Sequence, residues 1–243
     1  MAAKERVDAM LVARGLCDSR EQAKRLIMAG EVFTGNDRVS KPSQKFTEEV
    51  ELKVKDRPKY VGRGGFKIEG ALQEFGINPT GWVCADLGAS TGGFTDCMLQ
   101  HGAAKVHAID VGTNQLVWKL RSDDRVVSKE KFNARHLKPE DIGERVKLVV
   151  MDLSFISLTK VLPSAFSILE EGGSVISLIK PQFELSREEV GKGGIVREPE
   201  LHQKSVHKIK TFITEKLGRE WCGVMTSPIT GTDGNVEFLA WMK

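Results

Sequence analysis

The sequence predicts an α/β protein in which a small α+β domain precedes a mostly parallel, doubly wound sheet. From Trp82 onward, short apolar strands alternate with helical patterns, as in a parallel sheet covered by helices. A glycine-rich turn directly follows the first of these strands, which is typical of doubly wound folds that bind a ligand at the carboxyl edge. The 243 residues suffice for two domains, which we place at 1–55 and 65–243 with a linker at 56–64.

The composition is that of a globular protein and excludes several classes. Hydrophobic residues make up 40% of the chain and charged residues 28%, which excludes disorder. The four cysteines form no C-x-x-C pair and have no histidine at metal-ligand spacing, so we expect no metal site. The first ten residues have no signal-peptide core, and no apolar run reaches the roughly 18 residues that span a bilayer. We therefore expect a cytoplasmic protein without a membrane partner.

The first domain is predicted to contain two helices followed by short strands. Apolar residues at helical spacing give a first helix that ends at Gly15. Ser19 opens a capping-box pattern and begins a second helix, which Gly30 ends. We expect a hairpin around Gly35 and a further strand over residues 47–54, TEEVELKV.

Basic residues are concentrated in this first domain. Residues 1–60 contain 13 lysines and arginines against 10 acids, whereas the remainder is near neutral. Arg20, Lys24 and Arg25 lie together on the second helix, and from charge alone an ordinary solvated face is the simpler interpretation. The stretch RVDAMLVARGLCDSREQAKRLIMAGEVFTG, followed by KPS, resembles the RNA-binding domain of ribosomal small-subunit protein four. That resemblance implies that the three cations bind RNA phosphates.

The linker and the helix after it contribute two more candidate residues. Residues 56–66, DRPKYVGRGGF, contain one proline and three glycines, and Arg63 there is a candidate RNA contact. A helix is predicted from about Gly65 to Phe75, and it carries Lys67.

The remaining chain alternates between strands and helices. Strands are predicted at WVCAD, KVHAID, VKLVVMD and GSVISLIK, with another before Asn133. Helices are predicted at residues 93–100, 161–170 and 201–217. WCGVMTSPI and NVEFLAWM are predicted as neighbouring antiparallel strands.

The stretch ADLGASTGGFTD carries the candidate cofactor site. Its glycines let a ligand approach the backbone at the end of a buried strand. The G-x-G-x-x-G fingerprint and the G-x-x-x-x-G-K-[ST] loop are both absent, which disfavours a nicotinamide enzyme. The acid before the first glycine would repel a pyrophosphate but suits a cation such as S-adenosylmethionine. The candidate ligand-binding residues here are Asp86, Gly88, Ala89, Ser90, Gly92, Gly93 and Phe94.

Three polar residues beyond this turn extend the predicted cofactor site. Asp110 ends the next strand, where a carboxylate would accept hydrogen bonds from ribose hydroxyls. Asn133 is a candidate for the adenine edge, although an ordinary loop asparagine fits its position equally well. Asp152, at the end of another strand, belongs to the same set. Acid, glycine turn and second acid resemble the Rossmann-like class I methyltransferases.

Four charged residues stand where charge is unexpected. Asp152 and Lys180 each end an apolar strand, Glu237 lies inside the last predicted strand, and Lys67 lies in the helix before the sheet. Because parallel strands share one carboxyl edge, the first two should lie beside the ligand crevice. Partly buried charges are costly unless paired, so we expect one network. A purely structural ion-pair network is the alternative interpretation.

These charges resemble the Lys-Asp-Lys-Glu tetrad of the FtsJ-like ribose 2′-O-methyltransferases. Together with the N-terminal domain, the chain resembles the TlyA family of rRNA methyltransferases, also labelled haemolysin A. The resemblance rests on GRGGFK, DLGASTGGFTD, DVGTNQLVWKLR, MDLSFISL, IKPQFE and GNVEF. It implies that Lys67, Asp152, Lys180 and Glu237 are catalytic, with Lys180 as general base or stabiliser of the developing alkoxide.

The resemblance also implies the substrates and partners. S-adenosylmethionine would donate the methyl group without a metal, and a cytidine 2′-hydroxyl in ribosomal RNA or a ribosomal subunit would accept it. The alternatives are a membrane-active haemolysin and a non-catalytic RNA-binding or ribosome-assembly factor. The lack of a spanning or amphipathic apolar segment argues against the first, and the complete tetrad argues against the second. The sequence gives no indication of the oligomeric state.

Overall fold

The structure, a computed structural model, describes residues 4–55 and 58–243. These residues form two units, divided at Pro58, and each unit has a hydrophobic core of its own. The elements of the first unit are β1 (Lys4–Arg6), α1 (Val7–Ala13), α2 (Arg20–Ala29), β2 (Val32–Thr34), β3 (Asp37–Arg38), β4 (Lys45–Thr47) and β5 (Lys53–Val54).

The helix pair of the first unit confirms the sequence prediction. Ser19 caps α2 by accepting a hydrogen bond from the backbone N–H of Gln22 at 3.2 Å. Gly30 ends the helix in the left-handed region, with φ +71°. Apolar residues of α1 and α2 pack on β2 to form the core, and β2 and β3 form the predicted hairpin.

The prediction of one strand over residues 47–54 was wrong. Thr47 belongs to β4, which pairs antiparallel with β1, and only Lys53–Val54 pairs with β2. Between these short strands, the guanidinium of Arg14 donates to the backbone carbonyls of Glu48 and Val50 at 2.5 and 2.6 Å. Those carbonyls therefore bond to a side chain rather than to a neighbouring strand.

The second unit alternates helices and strands. Its elements are α3 (Gly64–Glu74), β6 (Val83–Leu87), α4 (Gly93–Gln100), β7 (Lys105–Ile109), α5 (Trp118–Arg121), β8 (Val126–Lys129), α6 (Pro139–Ile142), β9 (Val146–Met151), α7 (Leu162–Ser167), β10 (Leu169–Ile179), α8 (Pro181–Glu184), α9 (Pro199–Thr211), β11 (Trp221–Thr226) and β12 (Phe238–Met242). A π-helical turn, Phe212–Lys216, continues α9.

These strands form one seven-stranded sheet in the order β11-β12-β10-β9-β6-β7-β8. The pairs from β10 to β8 are parallel, and β12 pairs antiparallel with both β10 and β11. From β6 the chain continues outward to β7 and β8, and from β9 it continues to β10 on the other side. The topological switch point therefore lies between β6 and β9. Two apolar clusters cover the faces of the sheet. The predicted doubly wound, mostly parallel fold is confirmed, and a ligand is expected at the switch point.

The helix predicted over residues 161–170 is shorter in the structure. It spans Leu162–Ser167, and β10 already begins at Leu169. Leu169 pairs with Val146, and the register then shifts before Ser174. Gly172, with φ +71°, lies inside this irregular stretch and allows the bend. The strand therefore starts in a polar segment that apolar periodicity does not reveal.

Candidate active site

A cavity of about 590 Å³ opens at the switch point, where β6, β9 and β10 end. The predicted site residues that line it are Arg63, Lys67, Gly88, Ala89, Ser90, Gly93, Phe94, Asp152, Lys180 and Glu237. Residues that the sequence analysis did not assign to a site also line it, among them Thr91, Ser154, Phe155, Gln182, Thr232 and Asp233.

The four tetrad residues form one network of alternating charge. Lys67 Nζ donates to Glu237 Oε2 at 2.5 Å and lies 4.0 Å from Asp152 Oδ2. Asp152 Oδ1 lies 2.6 Å from Lys180 Nζ. Lys67 and Glu237 are buried, whereas Asp152 and Lys180 keep partial exposure. Each buried charge therefore has an opposite charge beside it, which offsets the cost of removing it from water.

Strand ends position two of these side chains. Asp152 directly follows β9, and its backbone N–H donates to the carbonyl of Leu87, the last residue of β6, at 3.1 Å. Lys180 follows β10 and precedes Pro181, the first residue of α8. Since β9 and β10 are parallel neighbours, both side chains reach the same edge of the sheet.

Glu237 does not lie inside the last strand, as the sequence predicted, but immediately before β12. The loop before it is closed by the Gly231 N–H, which donates to the Asn235 carbonyl at 2.9 Å. The Asn235 side chain is buried and bonds to the backbone of Gly194 and Val196 at 2.9 Å each. These bonds join the loop before Glu237 to the segment around Gly194, which lines the cavity.

The glycine turn presents backbone to the cavity. Gly88 has φ +88°, and a Cβ there would lie 2.4 Å from the carbonyl oxygen of Asp152. Only glycine fits this approach between two strands. Ser90 adopts φ +48°, and its N–H donates to Asp110 Oδ2 at 2.8 Å. Gly92, which does not line the cavity, has φ +100° and lies against Leu120.

A second cavity, of about 530 Å³, adjoins the first and shares Gly88, Ser90, Asp152, Ser154 and Phe155 with it. Asp110 lines it and accepts from the N–H groups of Ser90 and Gly112, which leaves carboxylate lone pairs for a ligand. Asn133 lines it too, but its Oδ1 already accepts from the Arg135 N–H at 3.0 Å. Its amide N–H groups are the part left for a ligand. Apolar residues of this cavity include Phe132 and Ile156.

Asp86 is placed differently from the other predicted cofactor residues. It has no exposed surface and lines neither cavity. Its Oδ2 accepts from the backbone N–H and the hydroxyl of Thr95, at 2.9 and 2.7 Å, while its buried Oδ1 has no hydrogen-bond partner in the described residues. Burial, with a smaller effect of Asp152, raises the pKa of Asp86 from 3.8 to about 7. In this structure Asp86 therefore joins β6 to α4.

An aromatic pair beside Lys180 was not predicted as a unit. Phe155 is 90% exposed and adopts φ +62°, which is rare for a side chain of this size. Its ring centroid lies 5.1 Å from that of Phe183, and Lys180 Nζ lies 5.9 Å from the Phe183 ring. Ser154, before Phe155, accepts a hydrogen bond from Lys180 at 3.0 Å. Nothing in the apolar pattern LSFISL distinguishes Phe155 from a core residue.

The predicted RNA-binding cations differ in their contacts. Arg20 donates to Asp8 at 3.0 Å, and Lys24 donates to Glu21 at 2.6 Å. Arg25 is exposed, with no hydrogen bond or ion pair in the described part of the chain. Arg63, in the second unit, is exposed at the cavity and lies 3.5 Å from the Thr232 hydroxyl.

The described residues contain neither a metal-binding cluster nor a membrane-spanning helix. Within residues 4–55 and 58–243, no three histidine, cysteine or acidic side chains are grouped so that they could hold a metal ion. None of the helices in the same residues is long and apolar enough to cross a membrane.

Comparison with known proteins identifies the family. Residues 60–243 match the family described as FtsJ-like methyltransferase, and residues 5–52 match the S4 domain. The 16S/23S rRNA (cytidine-2′-O)-methyltransferase TlyA of Mycobacterium tuberculosis is 46% identical over 100% of this chain and 91% of its own. The chain belongs to the TlyA/haemolysin A family of FtsJ-like methyltransferases. The predicted family and class I methyltransferase fold are thereby confirmed.

Two further relatives carry the other name of this family. Hemolysin A of Brachyspira hyodysenteriae is 44% identical over 97% of this chain and 98% of its own. A solved structure titled as a putative hemolysin from Streptococcus thermophilus is 47% identical, covers 100% of this chain and 89% of its own, and has a TM-score of 0.74. Proteins named for lysis are therefore similar to this chain over almost its whole length.

The cavities fit the methyl donor of this family. S-adenosylmethionine is cationic at its sulfonium and amino groups, and Asp110 and Asp152 place two carboxylates on the second cavity. Gly88 lines both cavities, and because glycine has no side chain, a ligand there can contact its backbone.

Proposed function

We propose that the chain transfers a methyl group from S-adenosylmethionine to a cytidine 2′-hydroxyl of ribosomal RNA in the cytoplasm. The observation that carries this proposal is the alternating network of Glu237, Lys67, Asp152 and Lys180 at the cavity. The names of relatives supply the class of RNA and the nucleotide. No step of this reaction requires a metal, because the sulfonium already activates the methyl group.

The cofactor would occupy the second cavity. Asp110 would accept hydrogen bonds from ribose hydroxyls, and Asn133 would donate its free amide N–H to the adenine edge. The backbone at Gly88 and Ser90 would line the methionine part, close to Asp152. When bound, the cofactor supplies an electrophilic methyl carbon.

The tetrad would act on the acceptor. Lys180 can hold the 2′-oxygen at Nζ, either by taking its proton or by donating to the developing alkoxide. Asp152 Oδ1 and Ser154 Oγ fix that nitrogen from two sides, at 2.6 and 3.0 Å. Lys67 and Glu237 complete the charge balance and would contact the ribose. Fixed alignment of oxygen with methyl carbon supplies much of the rate.

The aromatic pair would receive the base. Phe155 and Phe183 line the same cavity as Lys180, and the exposed ring of Phe155 offers a stacking surface. An RNA base unstacked from its neighbours commonly stacks on such a ring. The unusual backbone of Phe155 is consistent with a functional constraint.

Mapping of 2′-O-methyl groups on ribosomal RNA tests the proposal. RNA from cells that lack the gene should gain ribose methylation when incubated with the protein and S-adenosylmethionine. Lys180→Met should lower the single-turnover rate by roughly 10²–10⁴-fold, the value of a positioned base. In this variant the charge of Asp152 is still compensated by Lys67 and remains partly exposed to water. We therefore expect the variant to remain folded.

Lys147→Met is the matched control. Lys147 lies in β9, the strand that Asp152 follows, and pairs with Glu170 at 3.0 Å. It lines neither cavity. Near wild-type transfer by folded, cofactor-bound Lys180→Met would disprove the role of Lys180. Unchanged methylation of every ribosomal RNA nucleotide would disprove the function.

A further inference from the structure

A buried carboxylate in the first unit holds two exposed arginines. Asp8, in the first turn of α1, has no exposed surface. Its Oδ1 accepts from Arg6 Nε at 3.0 Å, and its Oδ2 accepts from Arg6 Nη2 at 2.9 Å and Arg20 Nη2 at 3.0 Å. The hydrogen bonds from Arg6, with a smaller effect of Arg20, lower the pKa of Asp8 to about 2. The carboxylate therefore stays ionised at neutral pH.

The two guanidinium groups face solvent with donors to spare. The side chains of Arg6 and Arg20 are 42% and 55% exposed. A guanidinium has five N–H donors, and Asp8 takes two from Arg6 and one from Arg20. Because both Nη2 atoms bond to the same oxygen, at 2.9 and 3.0 Å, they lie no more than 5.9 Å apart. Two arginines this near to each other can bind one phosphate or two adjacent phosphates.

The neighbouring ion pair on α2, between Lys24 and Glu21, is exposed and contains no buried acid. Lys24 pairs with Glu21, whose side chain is 77% exposed, and exposed pairs of this type hold their geometry weakly. Arg6 instead makes a two-pronged contact with a fully buried acid, which fixes the plane of its guanidinium. Side chains that are fixed before binding lose less entropy on contact with a ligand.

We propose that Asp8 is a positioning residue that presents Arg6 and Arg20 together to RNA phosphates. This inference rests on the proposed function, since it assumes that the first unit binds RNA. It has an unusual consequence, because it predicts that loss of a negative charge weakens binding to a polyanion. Simple electrostatics predicts the opposite sign.

The test compares two variants of the full chain that each remove one negative charge. Binding to purified 16S and 23S ribosomal RNA is measured for Asp8→Asn and for the matched control Glu21→Gln. We expect Asp8→Asn to weaken binding about fivefold, the cost of ordering one freed arginine side chain. Glu21→Gln should leave binding equal or tighter. Equal or tighter binding by folded Asp8→Asn would overturn the proposal.

A measurement on the wild-type protein covers the case in which Asp8→Asn does not fold. Nitrogen-15 relaxation of the arginine Nε groups should show Arg6 as rigid, and Arg25, which makes no hydrogen bond or ion pair within the described residues, as mobile. Equal mobility would overturn the proposal. Arg20→Ala separates the two hypotheses: if it leaves RNA affinity unchanged, the RNA-binding role of this face fails. If it weakens binding and Asp8→Asn does not, only the positioning role fails.

Discussion

At the scale of single residues, each charge of the tetrad is compensated by an opposite charge beside it. Lys67 and Glu237 are buried as a pair, and Asp152 bridges that pair to Lys180. Removal of one member of such a network leaves its partner less compensated. The sequence could indicate Asp152, Lys180 and Glu237 because each ends or interrupts an apolar strand pattern, whereas the resemblance to the FtsJ-like tetrad indicated the role of Lys67. It could not indicate Ser154, whose contact with Lys180 follows from the loop geometry after β9.

Asp86 makes stability depend on pH in a direction opposite to that of most carboxylates. Its pKa rises from 3.8 to about 7 on folding, chiefly through burial, so the folded state binds more protons between these values. The contribution of Asp86 to stability should therefore fall as pH rises from about 4 to about 7. The pKa difference corresponds to at most about 4 kcal/mol.

The measurement compares urea unfolding of wild type and Asp86→Asn at pH 4, 5.5 and 7. The amide keeps an acceptor for the Thr95 N–H but does not ionise. We expect the stability of wild type relative to Asp86→Asn to decrease with rising pH, because the other carboxylates cancel in the difference. A difference independent of pH would contradict the raised pKa.

At the scale of elements, Glu184 ties two loops of the site together. This buried residue ends α8 and accepts from the Ser157 hydroxyl at 2.6 Å and the Leu158 N–H at 2.7 Å. Lys208, from α9, lies 3.0 Å from its Oε2. The loop with Phe155 and the helix with Phe183 are therefore held by one side chain.

Glu184→Gln should loosen this tie. The amide can still accept from the Leu158 N–H, but it loses the ion pair with Lys208, so unfolding should become easier by about 1–3 kcal/mol. We expect the transfer rate to fall while S-adenosylmethionine affinity stays at the wild-type level. Glu189→Gln, which breaks the surface pair with Lys204, is the control. A loss of stability with an unchanged transfer rate would show that Glu184 supports only the fold.

Element boundaries were predictable where apolar periodicity is strong. The helix Gly93–Gln100 and the strands at β6, β7 and β9 match the sequence prediction closely. Two boundaries were not predictable: the polar start of β10 and the position of Glu237 outside β12. Contacts between segments that are distant in the chain determine both. Residues 47–54 contribute to two strands instead of one for the same reason, since Arg14 bonds to the backbone between those strands.

At the scale of the whole molecule, we expect RNA binding and methyl-donor binding to depend mainly on different units. The S4-like first unit contains Arg20, Lys24 and Arg25, and the FtsJ-like second unit contains Arg63, both cavities and the tetrad. Residues 1–60 account for the entire excess of basic charge. RNA affinity and methyl-donor affinity should therefore be separable by mutation.

The triple variant Arg20→Ala, Lys24→Ala, Arg25→Ala tests this separation. Loss of three phosphate contacts should lower the salt slope of RNA binding by about 2, at roughly 0.7 per contact on single strands. Calorimetry should show unchanged affinity for S-adenosylmethionine, because none of the three lines a cavity.

The control removes the same charge from the second unit, through Lys204→Ala, Lys210→Ala and Lys216→Ala. Lys204 is paired with Glu189 much as Lys24 is paired with Glu21, but only the first variant also removes a contact with a buried acid, that of Arg20 with Asp8. If net charge alone governs binding, both variants should flatten the salt dependence equally. If the S4-like unit supplies the contacts, only the first variant should do so. An unchanged slope in the first variant would place the RNA contacts elsewhere, and the cations of α2 would then be an ordinary solvated face.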